Sequence, residues 1–360
     1  MKLVIINDVV YGYASGDPSA NGGAERYQWL LARALAAAGW TVVVGVRRAL
    51  KAGKRRTLAG VEFVGMGREP LPLAWFRFLS SERPDWWHWQ CAYYWWGPAV
   101  EIAKLARVQT IFGAMHDRDV RLRHALYLRP QLWPLYAWGL MRTDRILVQH
   151  GEQLSQLPRQ WQSKALILPG IVGCRAVTKP HCERAKYVAW VGMLGKFKRP
   201  DLLIEIARRL PSVRFVVCGG PLRFMSPPGY SEQILSELTT IPNIDYLGQV
   251  PPETALQVIA EASIFLSTSD EEGFPSVFLE ALSAGTPVVT LKIDPDRMIE
   301  RFGLGSVSHD IEGAMDDITS LLEFPRNRDR IAESAREYIA TTHSEAAVVK
   351  AFEGAIRRFP

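Results

Sequence analysis

Two carboxylates bracket one helix pattern in the second half of the chain. Glu272 lies in an acidic turn, and Glu280 follows about two helical turns later. At 1.5 Å of rise per residue, the two side chains stand roughly 12 Å apart along the helix axis. That separation excludes a shared proton or metal ion and is typical of two acceptors that hold one long ligand. One carboxylate would bind a sugar hydroxyl and the other a ribose hydroxyl, whereas two solvated glutamates are the alternative for such a pair on its own.

The backbone between the two glutamates is suited to an anion. An apolar β-type run, Ser263–Ser267, precedes the turn, and the helix pattern ends at Gly285. Pro275 suits the first helical position, where its missing amide hydrogen has no consequence. The free amides of the first turn and the positive end of the helix dipole would face a phosphate. The predicted phosphate segment consists of Gly273, Phe274, Pro275 and Ser276.

The stretch from Ser267 to Val289, STSDEEGFPSVFLEALSAGTPVV, resembles the signature of family-4-type retaining glycosyltransferases of the GT-B fold. The resemblance covers nearly the whole chain and has its most specific motifs in the second half. It implies an α/β protein with two Rossmann-like parallel-sheet domains that face a central cleft. It also implies transfer of a sugar from a nucleotide-sugar donor to a glycan or lipid-linked acceptor, with no metal or other cofactor.

Further segments of the second half match the donor site that the resemblance implies. Lys198 falls on the family lysine that neutralises the donor diphosphate. Gly192 and Gly219 follow strand patterns, where the backbone would approach the donor. Val250 lies in a segment similar to the one whose main chain meets the nucleobase. Taken singly, these glycine-containing segments are equally consistent with simple turns.

One position departs from the family pattern. Met193 stands where the family usually has an arginine that neutralises the diphosphate together with the lysine. A diphosphate leaving group without a metal needs cations, so this contact is either lost or replaced by Lys196 or Arg199. The departure keeps a second class of function open, a catalytically degenerate protein that binds a nucleotide-sugar or a glycan.

The first half supplies the remaining predicted site residues. Gly22 and Gly23 open a helix pattern after the strand Lys2–Asn7, and glycines let the backbone approach a ligand closely. In the resembled family, such glycines face the donor diphosphate and the acceptor. His116 follows the strand Gln109–Phe112, where the family often has a histidine near the transferred sugar. The predicted catalytic residues are therefore His116, Lys198 and Glu272.

Asp117 and Asp119 spell the Asp-x-Asp pattern of metal-dependent glycosyltransferases of the other main fold. The metal-free donor site implied for the second half argues against that alternative. None of the seven histidines forms a metal-spaced pair, and the four cysteines contain no CxxC. The sequence therefore predicts no metal site.

Length and composition indicate a two-domain protein of a reducing compartment. The 360 residues suit two domains of about 170 each. Few cysteines argue against a disulfide framework. The first apolar run is too short for a signal peptide, and no run reaches transmembrane length. We expect a cytoplasmic protein, with peripheral contact to the inner face of an anionic membrane as a further expectation and with no nucleic-acid partner.

Alternating strand and helix patterns predict a parallel sheet in each half of the chain. Pro169-Gly170 forms a hinge pattern between an acceptor domain over residues 1–169 and a donor domain over residues 170–341. The resemblance alone implies that the terminal segment, 342–360, forms a helix that packs back on the first domain. The Gly- and Ser-rich stretch from Tyr11 to Asn21 is predicted to be a long loop.

Two surface features have open interpretations. The basic run from Arg47 to Arg56 is either a solvated loop or an attachment site for anionic lipid headgroups or an acidic acceptor. In the aromatic segment from Trp75 to Trp96, the run Trp86–Gln90 is predicted to be a strand with alternate residues in the core. Tyr93–Trp96 follow that strand and would pack in the core, stack on a sugar or enter a membrane interface.

The mechanism that these residues favour is sugar transfer with retention of configuration. Lys198 and the amides after Glu272 would take up charge on the departing nucleoside diphosphate. No side chain stands out as a covalent nucleophile, so a front-face attack assisted by the leaving phosphate is preferred over double displacement. A nucleotide-sugar epimerase of the same fold is a weaker alternative, because no residues for elimination at the sugar ring are evident. A dinucleotide dehydrogenase is excluded, since neither half opens with GxGxxG.

Overall fold

Buried parallel strands form the centre of each half of the chain. The structure is a computed structural model that describes residues 1–17, 20, 22–173, 179–222 and 226–357. The chain divides into a first unit, Met1–Ile171 with the segment from Glu345 onward, and a second unit, Val172–Ser344. The chain thus changes unit after residues 171 and 344, compared with 169 and 341 in the sequence prediction.

The first unit is built on one sheet. Its strands, within the described residues, are β1 (Lys2–Ile6), β2 (Thr41–Val46), β3 (Arg55–Leu58), β4 (Val61–Gly65), β5 (Trp86–Gln90), β6 (Gln109–Gly113), β7 (Arg145–Val148) and β8 (Ala165–Ile167). They follow the order β3-β4-β2-β1-β5-β6-β7-β8. Every pair is parallel except β3 with β4. The helices of this part are α1 (Asp8–Ser15), α2 (Gly23–Ala37), α3 (Leu71–Glu82), α4 (Trp96–Leu105), α5 (Asp117–Val120), α6 (Trp133–Arg142), α7 (Gly151–Gln156) and α8 (Arg159–Gln162).

The second unit repeats the architecture. Its described strands are β9 (Tyr187–Val191), β10 (Arg214–Cys218), β11 (Ile244–Gly248), β12 (Ile264–Ser267), β13 (Val288–Thr290) and β14 (Gly305–Val307). They are parallel in the order β11-β10-β9-β12-β13-β14, the doubly wound Rossmann order. The helices are α9 (Pro200–Arg209), α10 (Tyr230–Leu238), α11 (Pro252–Glu261), α12 (Ser276–Ser283), α13 (Met298–Phe302), α14 (Ile311–Glu323) and α15 (Pro325–Tyr338).

The last helix, α16 (Glu345–Arg357), belongs to the first unit. Its Phe352 side chain is buried beside Trp40, with the ring centroids 5.7 Å apart. The Trp40 indole N–H also donates to the Glu353 carboxylate at 3.0 Å. In the described part of the chain, no helix has the length and apolar character needed to cross a membrane.

Both faces of the first sheet are covered, and strand β5 shows the consequence. Trp86, Trp87 and His88 are 4%, 0% and 1% exposed. Trp87 packs with residues of α3 and α4 on one face, and Trp86 packs with α2 on the other. Because buried parallel strands face the core on both sides, consecutive residues are buried rather than alternate ones. The prediction that Trp86–Gln90 forms a core strand is confirmed, whereas the prediction that only alternate residues are buried is wrong.

Two other predictions about this unit need correction. Helix α1 occupies the beginning of the predicted loop from Tyr11, because the Asn7 side chain caps it by accepting the Val9 amide at 3.0 Å. It ends at Gly16, whose φ is 74°. Of the rest of that loop, Pro18, Ser19 and Asn21 lie outside the described residues. The end of the predicted basic loop is not a loop, since Arg55 and Arg56 begin the antiparallel edge strand β3.

Candidate active site

The strand order of the second unit places its topological switch point between β9 and β12. In sheets of this order, ligands bind outside the carboxyl ends of the strands at that point. Gly192 and Lys198 follow β9, and Glu272 follows β12. The topology therefore brings the two predicted donor-binding segments to one edge of the sheet.

An ion pair joins these two segments. The Lys198 ammonium donates to the Glu272 carboxylate, and the two side chains are 18% and 14% exposed. The partners are 74 residues apart in sequence and meet only through the fold. Partial burial strengthens their attraction compared with a pair in open solvent. A phosphate bound at this edge would offer the lysine a second anionic partner.

Thr268 holds the backbone of Lys198 in place. Its hydroxyl donates to the Lys198 carbonyl at 2.8 Å and accepts the Trp190 indole N–H at 3.0 Å. Thr268 and Trp190 are 1% and 2% exposed, so this arrangement belongs to the interior. We did not identify Thr268 from the sequence, because a threonine after a buried strand carries no distinctive signal.

Two more cations lie at the same edge. Arg199 has φ of 51° and donates to Asp201 at 2.8 Å and to Asp270 at 3.1 Å. The hydrogen bond with Asp201 is the main cause that raises the pKa of Arg199 above its usual value. Lys292 is held more loosely, since its ammonium is 3.9 Å from Asp270 and its side chain is 64% exposed. The sequence indicates Arg199 as a candidate cation, whereas Lys292 carries no distinctive signal.

Helix α12 begins at the predicted residue, but Pro275 does not occupy its first position as expected. It starts at Ser276, and Pro275 precedes its first turn with φ −69° and ψ 106°. This extended ψ places Pro275 outside the helix, although its carbonyl accepts the first helical bond, from the Phe278 amide at 3.0 Å. Ser276 is exposed at the start of the helix, while Gly273 is buried before it. The amides of the first helical turn therefore lie at the amino end of α12, as predicted.

Two buried groups, both missed from the sequence, hold the far end of α12. Arg184 donates to the Ala284 carbonyl at 2.7 Å, and His181 Nε2 lies 2.8 Å from the Gly285 carbonyl oxygen. Burial lowers the pKa of His181 to about 4, so at neutral pH the ring is uncharged and donates from Nε2. The Arg184 guanidinium is a cation at the carboxyl end of α12, so it interacts favourably with the helix dipole. These contacts position the helix that carries Glu280, which is itself 8% exposed.

The backbones after β9 and β10 touch. A Cβ atom on Gly219 would lie 1.8 Å from the Gly192 carbonyl oxygen, so no side chain fits there. The Gly219 amide donates to the Gly248 carbonyl at 2.8 Å, which links the end of β11 to the same edge. Val250 follows, half-buried, two residues later. Gly192, Gly219 and Val250 thus lie along the carboxyl edge of the sheet from β9 to β11.

The aromatic ring of Phe274 also has a defined place in the second unit. It lies 5.3 Å from the His343 ring, between centroids. His343 is 1% exposed and belongs to a five-residue π-helix, Ile339–His343. The turn that contains Glu272 is therefore tied to the end of the second unit as well as to Lys198.

His116, in the first unit, caps helix α5 after β6. Its Nδ1 accepts the Arg118 amide at 3.1 Å, so the neutral ring carries its proton on Nε2. The side chain is half-buried at the carboxyl end of the sheet. This geometry leaves Nε2–H as the hydrogen-bond donor of the ring.

Asp117 and Asp119 face different partners. The Asp119 carboxylate is 6% exposed and accepts the amides of Met115, His116 and Ala92 at 2.8, 3.0 and 3.1 Å. Burial nevertheless raises the pKa of Asp119 above its ordinary value. Asp117 contacts His150 Nε2 at 3.0 Å instead. Within the described ranges, no cluster of three or more His, Cys, Asp or Glu side chains is arranged to hold a metal ion.

Gly22 and Gly23 stand at the start of α2, as expected. Gly22 precedes the helix with φ of 112°, a conformation that other residues adopt only with strain. Its carbonyl accepts the Tyr13 hydroxyl at 3.1 Å and the Arg26 amide at 3.1 Å. In the first sheet, α2 follows β1, the strand at the switch point with β5. Gly22, Gly23 and His116 therefore belong to the first unit, and the other predicted site residues belong to the second.

Two family profiles match the chain. Residues 178–338 match the family described as glycosyl transferases group 1, and residues 22–166 match the glycosyl transferase 4-like domain. The chain belongs to the group 1 glycosyltransferases. This assignment confirms the resemblance that the motif around Glu272 and Glu280 indicates.

Curated relatives of this glycosyltransferase include D-inositol 3-phosphate glycosyltransferases. The protein from Corynebacterium efficiens is 34% identical over 163 residues, which are 43% of this chain and 38% of the relative. The protein from Mycolicibacterium paratuberculosis is 28% identical over 181 residues, 48% of this chain and 41% of the relative. The matches span about two fifths of the length of these curated relatives.

Solved structures confirm the GT-B fold of this glycosyltransferase. Sucrose-phosphate synthase from Thermosynechococcus elongatus aligns over 99% of this chain and 98% of its own, with a TM-score of 0.77 and 17% identity. Anabaena HepE, solved in complex with UDP and glucose, aligns over 99% of both chains, with a TM-score of 0.72 and 14% identity. At such identities the likeness concerns the fold alone.

Proposed function

We propose that the protein transfers a sugar from a nucleotide-sugar donor to a glycan or lipid-linked acceptor. The observation that carries this proposal is the Lys198–Glu272 ion pair at the switch point of the second sheet. A cation that is held ready by a carboxylate, beside the first turn of a helix, suits a diphosphate with a sugar attached. Family membership supports the same reaction class.

In the proposed donor complex, the Lys198 ammonium and the first-turn amides of α12 take up the charge of the departing diphosphate. Glu272 accepts from the sugar hydroxyls and Glu280 from the ribose hydroxyls. Gly192 and Gly219 supply backbone that no side chain shields, and the main chain at Val250 meets the base. UDP is the first nucleotide to test, because HepE, a structural neighbour, was solved with it.

His116 is proposed to act on the transferred sugar. With Nδ1 engaged by the Arg118 amide, its Nε2–H donates to a sugar hydroxyl rather than abstracting a proton. Transfer then proceeds with retention by front-face attack, and the leaving phosphate accepts the proton of the acceptor hydroxyl. We propose no metal for this reaction. The Asp119 carboxylate already accepts three amides, which supports its role in fixing the loop.

The first test is donor binding by thermal shift with UDP, GDP, ADP and dTDP, free and as sugar conjugates, with and without EDTA. The proposal predicts a rise in Tm for one nucleotide that EDTA does not change. A rise abolished by EDTA would overturn the metal-free donor site. Glu280→Ala should weaken donor binding and transfer, and full retention of both would remove Glu280 from the site.

A second candidate function is binding without catalysis, and Met193 is the observation that favours it. Arg199 is already bound by Asp201 and Asp270, which leaves the exposed Lys196 and Lys292 as the more available replacement cations. Incubation of the protein with its best nucleotide-sugar and an acceptor panel separates the two functions. A protein that binds the nucleotide but forms no product would have the binding-only function. Turnover by the Met193→Arg variant would show that the missing arginine is the reason.

A further inference from the structure

One surface of the first unit exposes large apolar side chains. These side chains belong to helix α6 and to the loop before it, and their exposed fractions are 38% for Leu135, 38% for Trp138, 51% for Met141, 60% for Tyr127 and 85% for Leu128. Single exposed apolar residues are ordinary, but five of them within residues 127–141 indicate an interaction surface.

The three residues of α6 form one stripe. Leu135, Trp138 and Met141 are spaced by three positions, so they project from the same side of the helix. The opposite side carries the buried Tyr136 and Leu140, which belong to the core of the first unit. The stripe therefore faces away from the core on a helix that is otherwise well packed.

The charged residues of this segment have one sign. From Val120 to Thr143 the chain contains four arginines and no acidic residue. The arginines are all exposed, and they are Arg121, Arg123, Arg129 and Arg142. Among the ion pairs of the described residues, only Arg142 is neutralised, by Glu101 at 2.8 Å. The remaining charges are available to an anionic partner.

Aromatic rings support two of these arginines. The Arg123 guanidinium lies 5.6 Å from the Trp133 ring centroid, and the Arg129 guanidinium lies 4.9 Å from that of Tyr94. Stacking of this kind reduces the freedom of the long side chains while it leaves their charge exposed.

We propose that Tyr127, Leu128, Leu135, Trp138 and Met141, together with the three arginines that Glu101 does not neutralise, form a docking surface for an anionic lipid bilayer. Tyrosine and tryptophan place an apolar body and a polar tip at the boundary between acyl chains and headgroups. Arginine beside them contacts lipid phosphates. Protein interfaces also use tyrosine, tryptophan, methionine and arginine. The bilayer is the better match because the uncompensated charge of this segment has one sign, which complements anionic headgroups.

The basic run from Arg47 to Arg56, which the sequence singled out for this role, is less suited to it. Arg47 donates to the Glu69 carbonyl at 2.7 Å, and Arg55 pairs with Glu62 at 2.8 Å and with Glu82. These contacts occupy two of the six cations of the run, and Arg48, Lys51, Lys54 and Arg56 stay exposed. The run also lacks large exposed apolar side chains, so it would bind lipid by charge alone.

This inference rests on the proposed function only for the purpose of the docking surface, which is to bring the enzyme to a lipid-linked acceptor. The test is co-sedimentation of the full chain with vesicles of phosphatidylcholine alone or mixed with phosphatidylglycerol, at low and high salt. We expect binding to the mixed vesicles that high salt weakens but does not abolish, since apolar side chains contribute. Binding should be weak to phosphatidylcholine alone.

Matched variants locate the contact. Leu128→Ser should abolish the vesicle binding that remains at high salt. Arg123→Gln and Arg129→Gln should each weaken vesicle binding about fivefold. Arg48→Gln and Lys51→Gln remove the same charge from the basic run and should leave binding within about twofold. Equal losses of vesicle binding in both sets of variants would refute the proposed docking surface. The absence of vesicle binding by the parent protein would refute it as well.

Two controls separate the other outcomes. The nucleotide-induced rise in Tm should persist in every variant, which shows that the second unit is intact. Vesicle binding without any nucleotide effect would refute the proposed donor site and leave the docking surface standing. A dimer that Leu128→Ser dissociates, seen by size-exclusion chromatography with no lipid binding, would assign the surface to a second copy of the chain instead.

Discussion

Replacement of Thr268 by valine removes one hydroxyl and nearly conserves the shape of the side chain. The hydroxyl makes two hydrogen bonds, as donor to the Lys198 carbonyl and as acceptor from the Trp190 indole. Thr268 is 1% exposed, so water cannot readily replace either partner. The change therefore leaves one buried donor and one partly buried acceptor without a bond.

The expected cost follows from those two groups. An unpaired buried polar group costs about 1–3 kcal/mol, so Thr268→Val should lower the free energy of unfolding by about 3 kcal/mol. For a unit of this size, that corresponds to a fall in Tm of about 6–12 °C. The backbone of Lys198 also loses its anchor, so nucleotide affinity should fall by about tenfold, the value of one hydrogen bond of about 1.4 kcal/mol.

Calorimetric unfolding and titration with the preferred nucleotide measure both effects. Thr268→Ser keeps the hydroxyl, so it should retain most of the nucleotide affinity. Its free energy of unfolding should fall only by the contribution of one buried methyl group. Equal affinity for the valine and serine variants would show that Thr268 packs but does not position Lys198. A valine variant with Tm within about 2 °C of the parent would refute the reasoning about both hydrogen bonds.

Three further predictions concern other contacts. Gly219→Ala should abolish the nucleotide-induced rise in Tm, because its Cβ would lie 1.8 Å from the Gly192 carbonyl oxygen, and a normal rise would contradict this. Lys198→Met should weaken nucleotide binding about 10- to 100-fold in calorimetry, as expected for one charge-assisted bond, with Lys198→Arg as the conservative control. Burial lowers the pKa of His88 to about 4, so the unfolded state takes up this proton first as pH falls below about 6.5. The contribution of His88 to the free energy of unfolding should therefore drop by about 3 kcal/mol between pH 7 and pH 4 in denaturant titrations. His88→Leu should remove this part of the decrease, and substitution of the exposed His124 should not.

Much of the fold could be predicted because buried parallel strands have a simple pattern. The strands Tyr187–Val191 and Arg214–Cys218 have the predicted bounds, since the first is a continuous apolar run and the second is apolar after Arg214. Strand β3 could not be found in this way, because Arg55–Leu58 is an exposed edge strand that exists through its pairing with β4. Helix α1 was missed because its glycine and serine obscured the cap at Asn7.

The candidate site could be predicted only in part. The spacing of Glu272 and Glu280 and the turn between them identified one segment, and the family resemblance added Lys198. The ion pair between Lys198 and Glu272 could not be derived, because it depends on two loops that meet at the sheet edge. Arg184 was equally invisible, since a lone arginine in a sequence does not show that it is buried at the end of a helix.

The membership of α16 in the first unit has a consequence for biosynthesis. The ribosome must complete the whole second unit before it makes the helix whose Phe352 packs against Trp40. Until then the nascent first unit exposes the apolar surface that Phe352 covers, and such exposure favours aggregation. The second unit has no such delay, because its two ends are joined by a hydrogen bond from the Val172 amide to the His343 carbonyl at 3.1 Å. The inserted unit should therefore fold first, and the unit that begins the chain should be the last to finish.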